Sequence, residues 1–200
     1  MTSTTRDPQP ILLTGASGYV GSHLLDELRA RGRRVRALVR DPDRADLPAG
    51  VELRKGDAVK GEGLAEALLG VRTAYYLIHS MGRGASPSED FAARDRAAAV
   101  NFGEAASAAG VERVVYLGGL GPTGPGASLH LRSRHEVAEL LRQRVPELVY
   151  VRAAMIIGRG SASFEMLRHL VTRLPVMITP RWVDARSQPV GLDDAMRAAL

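Results

Sequence analysis

The strongest chemical signal in the chain is a run of small residues, Thr14-Gly15-Ala16-Ser17-Gly18-Tyr19-Val20-Gly21. Its glycines sit where phosphate chemistry wants them. Gly15 permits a tight turn, Gly18 lets an anion approach the backbone, and Gly21 lets a following helix pack closely. Free N–H groups and the positive end of that helix would then hold a pyrophosphate. A phosphate loop of the Walker type needs Lys-Ser/Thr after its last glycine. Here Gly21 is followed by Ser22-His23, which argues against ATP hydrolysis. The choice of dinucleotide turns on residues about twenty positions further on. An acid there hydrogen-bonds the ribose hydroxyls of NAD, and an arginine pairs with the 2′-phosphate of NADP. The chain offers Arg40, then Asp41, with Arg44 one turn later. Two arginines around one phosphate favour NADP, with NAD as the alternative and a plain solvated strand end as the competing reading. Asp57, in Lys55-Gly56-Asp57-Ala58, can accept a hydrogen bond from the adenine amino group, although Gly-Asp is equally a common turn pair.

These residues need a particular scaffold. Short β-branched runs alternate with Ala/Leu-rich stretches, the pattern of a parallel sheet with crossover helices. Strands are expected at Ile11–Thr14, Val35–Val39, Val51–Leu53, Ala74–Ile78, Val114–Leu117 and Leu148–Val151. Helices are expected at Tyr19–Arg31, Leu64–Leu69, Phe91–Ala109 and Leu129–Arg142, two of them closed by Gly32 and Gly110 in a positive-φ role. Near-continuous apolar strands imply a sheet covered on both faces, an α/β doubly wound parallel sheet of the Rossmann type. After Arg152 the rhythm changes to a helix at Phe164–Leu174, a short strand at Val176–Ile178 and a last helix at Leu192–Leu200. The expected division is a flexible stretch over 1–9, a dinucleotide-binding domain over 10–160, and the start of a substrate-side region over 161–200 packed on the same domain. The loop Met81 to Ser88, rich in Gly and Ser, reads either as a flap over the cofactor or as a surface connection.

Composition narrows the class. Two hundred residues suit one domain with a sizeable core. No apolar run approaches the ~20 residues of a membrane span, and the polar start lacks the blocks of a signal peptide, so a cytoplasmic location is expected. The net charge of +5 suggests nucleic acid. Against that, the only lysines are Lys55 and Lys60, and the arginine cluster Arg29 to Arg36 carries no interleaved aromatic platform. Neither a nucleic-acid nor a membrane partner is therefore expected. The absence of cysteine removes thiolate chemistry, and the five histidines show no metal-ligand spacing.

The TGASGYVG cradle, Arg40 and Gly56-Asp57 resemble the extended and atypical branches of the short-chain dehydrogenase/reductase superfamily. Tyr75 to Met81, Tyr116 to Leu120 and Arg152 to Gly158 are similar to an NmrA-like group of NAD(P)H-binding proteins, often labelled nucleoside-diphosphate-sugar epimerases. The likeness runs from Ile11 to the last helix. In the extended branch a pattern like Gln188 to Asp194 leads into a further substrate-binding region. The resemblance implies that this region is missing here. It also implies that Gly15, Ser17, Gly18, Tyr19, Val20 and Gly21 surround the pyrophosphate, with Arg40 at the 2′-phosphate and Asp57 at adenine. His79 and Ser80 would lie near the nicotinamide ribose, and Gly118 and Gly119 at the reaction centre.

Catalytic members of that superfamily use a Tyr-x-x-x-Lys pair on one helix face. The matching segment here is His130-Leu131-Arg132-Ser133-Arg134, with His130 at the tyrosine position and Arg134 at the lysine position. The usual serine is replaced by Gly118 or Gly119. Three readings stay open: His130 as a substitute acid, His130 and Arg134 as binding groups without proton transfer, or an ordinary solvated helix start. The function expected from this is an NADPH-dependent oxidoreductase acting on a small carbonyl or quinone-like substrate. The alternative is a non-catalytic NADP(H) sensor or assembly factor, and a sugar epimerase ranks third because it leans hardest on the absent tyrosine. The long helices also offer a surface for a homodimer.

Overall fold

The computed structural model describes residues 9–79, 89–124, 126–173 and 187–200. Six parallel strands form one sheet: β1 (Ile11–Thr14), β2 (Val35–Val39), β3 (Glu52–Lys55), β4 (Thr73–Tyr76), β5 (Arg113–Gly119) and β6 (Glu147–Ala153). Their spatial order is β3-β2-β1-β4-β5-β6, the doubly wound arrangement, with the order reversing at β1. The crossovers carry α1 (Tyr19–Ala30), α2 (Leu64–Leu68), α3 (Glu89–Ala108) and α4 (Leu129–Arg142). A second, two-stranded ribbon pairs β7 (Ile156–Ile157) with β8 (Val190–Gly191), flanked by α5 (Ala162–Arg173) and α6 (Leu192–Ala199).

Alternation along each strand builds two cores. Leu12, Ala74, Tyr76, Val114 and Tyr116 face α2, α3 and α4, where they meet Phe102, Val137 and Leu141. Ile11, Leu13, Tyr75 and Val115 face α1 and α6, meeting Leu24, Leu28 and Met196. Each fully buried leucine among these contributes about 1.5–3 kcal/mol of burial free energy. The turn after α1 needs a residue that tolerates positive φ, and Gly32 at φ 68° supplies it.

Two polar residues inside the sheet tie its elements together. Buried Arg36 donates through Nη1 to the carbonyls of Ala67 and Leu69, both at 2.8 Å, and pairs with Glu52 at 3.0 Å. The guanidinium thus satisfies the carbonyls at the end of α2, which a lone arginine in an apolar strand does not announce. Thr14, fully buried, accepts from the Leu77 amide at 2.9 Å and donates to the Tyr75 carbonyl at 3.1 Å. It clamps the carboxyl end of β1 to the continuation of β4, the place where the cradle begins.

The strands depart from expectation mainly at their ends. β5 continues past Leu117 because Leu117, Gly118 and Gly119 keep pairing with Val151, Arg152 and Ala153 of β6. β7 and β8 are two residues each, too short to show a period, and were not expected. The loop Met81 to Ser88 and the strand expected at Val176–Ile178 lie outside the described residues. Among those described, no helix is long and apolar enough to cross a membrane.

Candidate cofactor and reaction site

The carboxyl ends of β1 to β5 carry the expected residues in order. Off β1, Gly15 turns at φ +69°, where a Cβ would stand 3.0 Å from the Leu77 carbonyl oxygen. Gly18 donates to the Gly15 carbonyl at 3.0 Å and opens α1 as its extended N-cap, with no side chain capping the helix. The first amides of α1 are therefore not taken up by a capping side chain, as an anion site requires. A Cβ on Gly21 would run into the Gly15 carbonyl oxygen. Helix and loop consequently touch backbone to backbone. Tyr19 stacks edge-on against His23 at 4.9 Å, and its buried hydroxyl lies beside Gly158 with no hydrogen-bond partner among the described residues. Ser17 stands exposed at the rim, and Val20 is half-buried beneath. A cradle with no room for a Cβ at Gly21 and an uncapped helix start fits a dinucleotide pyrophosphate.

Beyond β2, Arg40 is exposed and has no ion pair among the described residues. Asp41 instead accepts from the Asp43 amide at 3.2 Å and caps the single 3-10 turn Pro42–Arg44. One carboxylate oxygen of Asp41 is thus engaged in backbone capping beside a free guanidinium. Beyond β3, the Gly56 amide donates to the Val39 carbonyl at 2.9 Å, and Asp57 Oδ1 accepts from the Val59 amide at 2.9 Å. Asp57 is therefore the turn residue of the plainer reading, with its second oxygen left over. Asn101 on α3 donates to the carbonyls of Ala58 and Val59, both at 3.0 Å, and pins this turn.

At the other end, His79 follows β4 and Ser80 lies outside the described residues. Arg134 donates through Nη1 to the Ile78 carbonyl, beside His79, at 3.5 Å and follows His130 by one turn of α4, and both imidazoles have Arg134 and Asp95 as charged neighbours. The structure therefore brings together His79, His130 and Arg134. His130 stacks with Phe91 at 6.1 Å, and its buried Nδ1 has no hydrogen-bond partner among the described residues. Desolvation, then Arg134, holds both imidazoles below the ordinary histidine range, with His79 further depressing His130. Burial pushes the Tyr116 phenol up to about 12, and its hydroxyl donates to the Arg134 carbonyl at 3.1 Å. This bond holds the first turns of α4 on β5.

Three neighbours of this site went unnoticed in the sequence. Asp95 is 2% exposed, and Ser133 donates to it at 3.5 Å. The signal was its place in the apolar spacing Phe91-Asp95-Ala98-Phe102, where an acid is out of character. Asn101 had no comparable signal. Tyr150 reaches across from β6 and fills the space over Gly118, where a Cβ would lie 2.5 Å from its Cε2 and 2.9 Å from its hydroxyl. A Cβ on Gly119 would meet Leu131 at 2.8 Å.

The lowered histidines set a pH dependence. Folding favours their neutral forms, so the stability they contribute is complete above about pH 6.5 and declines as the pH falls toward the lowered values. The fall in Tm between about pH 7.5 and about pH 5.5 should therefore shrink in a His79→Gln/His130→Gln variant. An unchanged fall would assign the acid sensitivity elsewhere.

A family described as NAD(P)H-binding matches residues 15–157. The 3-beta-hydroxysteroid dehydrogenase of Mycolicibacterium neoaurum is 37% identical over 115 residues, 53% of this chain and 31% of that protein. The ceramide reductase of Caulobacter vibrioides (strain NA1000 / CB15N) is 31% identical over 172 residues, 84% of this chain and 52% of that one. Among solved structures, MoeE5 in complex with UDP-glucose and NAD superposes with a TM-score of 0.74 at 25% identity, covering 95% of this chain and 71% of that chain. The chain thus spans about a third of the steroid dehydrogenase's length and about half of the ceramide reductase's.

Proposed function

This chain belongs to the NAD(P)H-binding family, within the short-chain dehydrogenase/reductase superfamily, and on that premise we propose an NADPH-dependent oxidoreductase acting on a small carbonyl or quinone-like compound. The observation that carries the reading is the Arg134 bond to the Ile78 carbonyl, which sets His79 beside the turn of α4 that carries His130, on the same sheet edge as the glycine cradle. Gly15, Gly18 and Gly21 would hold the pyrophosphate, Ser17, Tyr19 and Val20 its flanks, and Asp57 the adenine. Arg40 would pair with the 2′-phosphate, since Asp41 is drawn into its own turn. When bound, the dinucleotide supplies hydride to the substrate. The neutral His130 ring donates one N–H toward substrate or ribose, and Arg134 holds positive charge where negative charge develops. The reading as a reductase or dehydrogenase is supported by the names of the relatives above. The NmrA-like affinity and a cytoplasmic setting belong to the same proposal.

Calorimetric titration with NADPH and NADH tests the cofactor half. NADPH should bind at least about tenfold tighter than NADH, and Arg40→Ala should erase the difference by weakening NADPH alone. Equal weakening of both would remove Arg40 from the phosphate role. The second reading, a non-catalytic NADP(H) sensor, is favoured by the missing Tyr-x-x-x-Lys pair. It wins if NADPH binds and no aldehyde, ketone or quinone is reduced.

A further inference from the structure

The oxidoreductase reading leaves one chemical role unfilled, that of the proton donor to the substrate oxygen. His130 fills the sequence position of the usual tyrosine, but its low basicity suits a hydrogen bond better than acid catalysis. Above Gly118, at the carboxyl end of β5, a different side chain occupies the space left by the missing residue. The Tyr150 ring stacks on Tyr116 with centroids 5.3 Å apart and planes 13° from parallel, which fixes its direction. Its hydroxyl comes within 2.9 Å of where a Gly118 side chain would start. It has no hydrogen-bond partner among the described residues, and it borders a small cleft with Gly119, His135 and Arg152. Arg152 lies 6.0 Å over the ring. Next along the strand, a Cβ on Gly119 would lie 3.9 Å from Arg134 Cγ, and the Arg134 guanidinium turns toward β4, donating through Nη1 to the Ile78 carbonyl at 3.5 Å.

Resting on the oxidoreductase reading, we propose that Tyr150 is the catalytic acid, a phenol delivered from β6 with Arg152 of the same strand as its neighbouring cation. The Tyr-plus-cation pair is thereby rebuilt on a strand instead of a helix. The substrate carbonyl gains hydride at carbon, its π pair moves to oxygen, and the Tyr150 O–H bond breaks to protonate that oxygen. NADPH is oxidised, the carbonyl is reduced to the alcohol, and the phenolate regains its proton from water. Burial raises the phenol's pKa and keeps it protonated at neutral pH, while Arg152 and Arg134 favour the phenolate left behind. The glycine at position 118 follows from the same arrangement: a serine there would displace the ring.

The test measures NADPH consumption with an aldehyde, ketone and quinone panel for the wild-type chain, Tyr150→Phe and His130→Ala, alongside calorimetric NADPH binding. Phenylalanine keeps the ring and its contacts and removes only the hydroxyl. Tyr150→Phe should lower kcat at least about 100-fold, abolish the alkaline limb of the kcat profile, and leave NADPH affinity within about twofold. His130→Ala should raise KM more than it lowers kcat. If Tyr150→Phe keeps kcat within about threefold on a substrate the wild type reduces, the inference fails and the oxidoreductase reading stands. If the wild type binds NADPH and reduces nothing on the panel, the reading fails and takes the inference with it.

Discussion

Gly21→Ala is expected to abolish dinucleotide binding while leaving a folded, weakened protein. The added methyl would run into the Gly15 carbonyl oxygen, and it would also stand 2.8 Å from the Gly15 carbonyl carbon and 3.0 Å from the Ala16 Cα. All three are backbone atoms, so no side-chain rotation relieves the contact. Ordinary carbon contacts lie near 3.5–4.0 Å, so α1 must retreat from the loop by roughly an ångström or more. Overpacking of this kind costs about 1–3 kcal/mol, within what a domain of this size survives. The loop between β1 and α1 cannot retreat with the helix, because Thr14 anchors its root to the β4 extension. The amides of the loop and of the helix start thus lose their common focus, and the pyrophosphate loses its hydrogen bonds. NADPH and NADH affinity should both fall at least about 100-fold, roughly 2.7 kcal/mol, because the pyrophosphate is common to both. Calorimetry on a variant shown to be folded by circular dichroism decides it. Binding within about tenfold of wild type would mean that the dinucleotide does not rest in this cradle.

The second large effect is a coupling between Gly118 and Tyr150, measurable without any substrate. Gly118→Ser introduces a side chain whose Cβ would lie 2.5 Å from Tyr150 Cε2, 2.9 Å from its hydroxyl and 3.1 Å from Tyr116 Cε1. The Tyr150 ring cannot swing aside freely, since it stacks on Tyr116 at 5.3 Å and has the Arg152 guanidinium 6.0 Å over it. A loss of about 1–3 kcal/mol is expected. Tyr150→Ala removes the obstruction, so the serine should be nearly harmless in that background. The double variant should then be more stable than the sum of the single losses predicts, by at least about 1 kcal/mol. Denaturant unfolding of the four proteins gives the number. Additive losses would show that the ring does not fill the space over Gly118, and would undercut Tyr150 as a proton donor at this end of β5.

Much of the molecule was legible because local rules and the global fold agree. Central parallel strands covered on both faces are largely apolar, so Ile11–Thr14 and Val35–Val39, interrupted only by Arg36, read as strands, while the edge strand Glu52–Lys55 carries charged residues. The glycine spacing from Gly15 to Gly21 is dictated by backbone-to-backbone contact, which leaves a mark on sequence that no side chain can imitate. Gly32 likewise had to be glycine, since its φ is 68°. The residues expected at the carboxyl edge lie there for a topological reason: parallel strands with right-handed crossovers send every loop of one kind to one end of the sheet.

What the sequence could not convey is which side chain crosses to which neighbour. Asp41 and Arg40 are adjacent letters with opposite implications for the cofactor, and only the Asp43 amide at 3.2 Å shows that the acid is turned inward on its own turn. Tyr150 is 32 residues from Gly118 along the chain, and their proximity depends on the β5–β6 register that pairs Gly118 with Arg152. Asp95 and Ser133 meet only because α3 packs on α4. Local propensity determined the elements and the phosphate cradle. Strand register and helix packing, which are long-range and leave no periodic trace, decided how the reaction end is built.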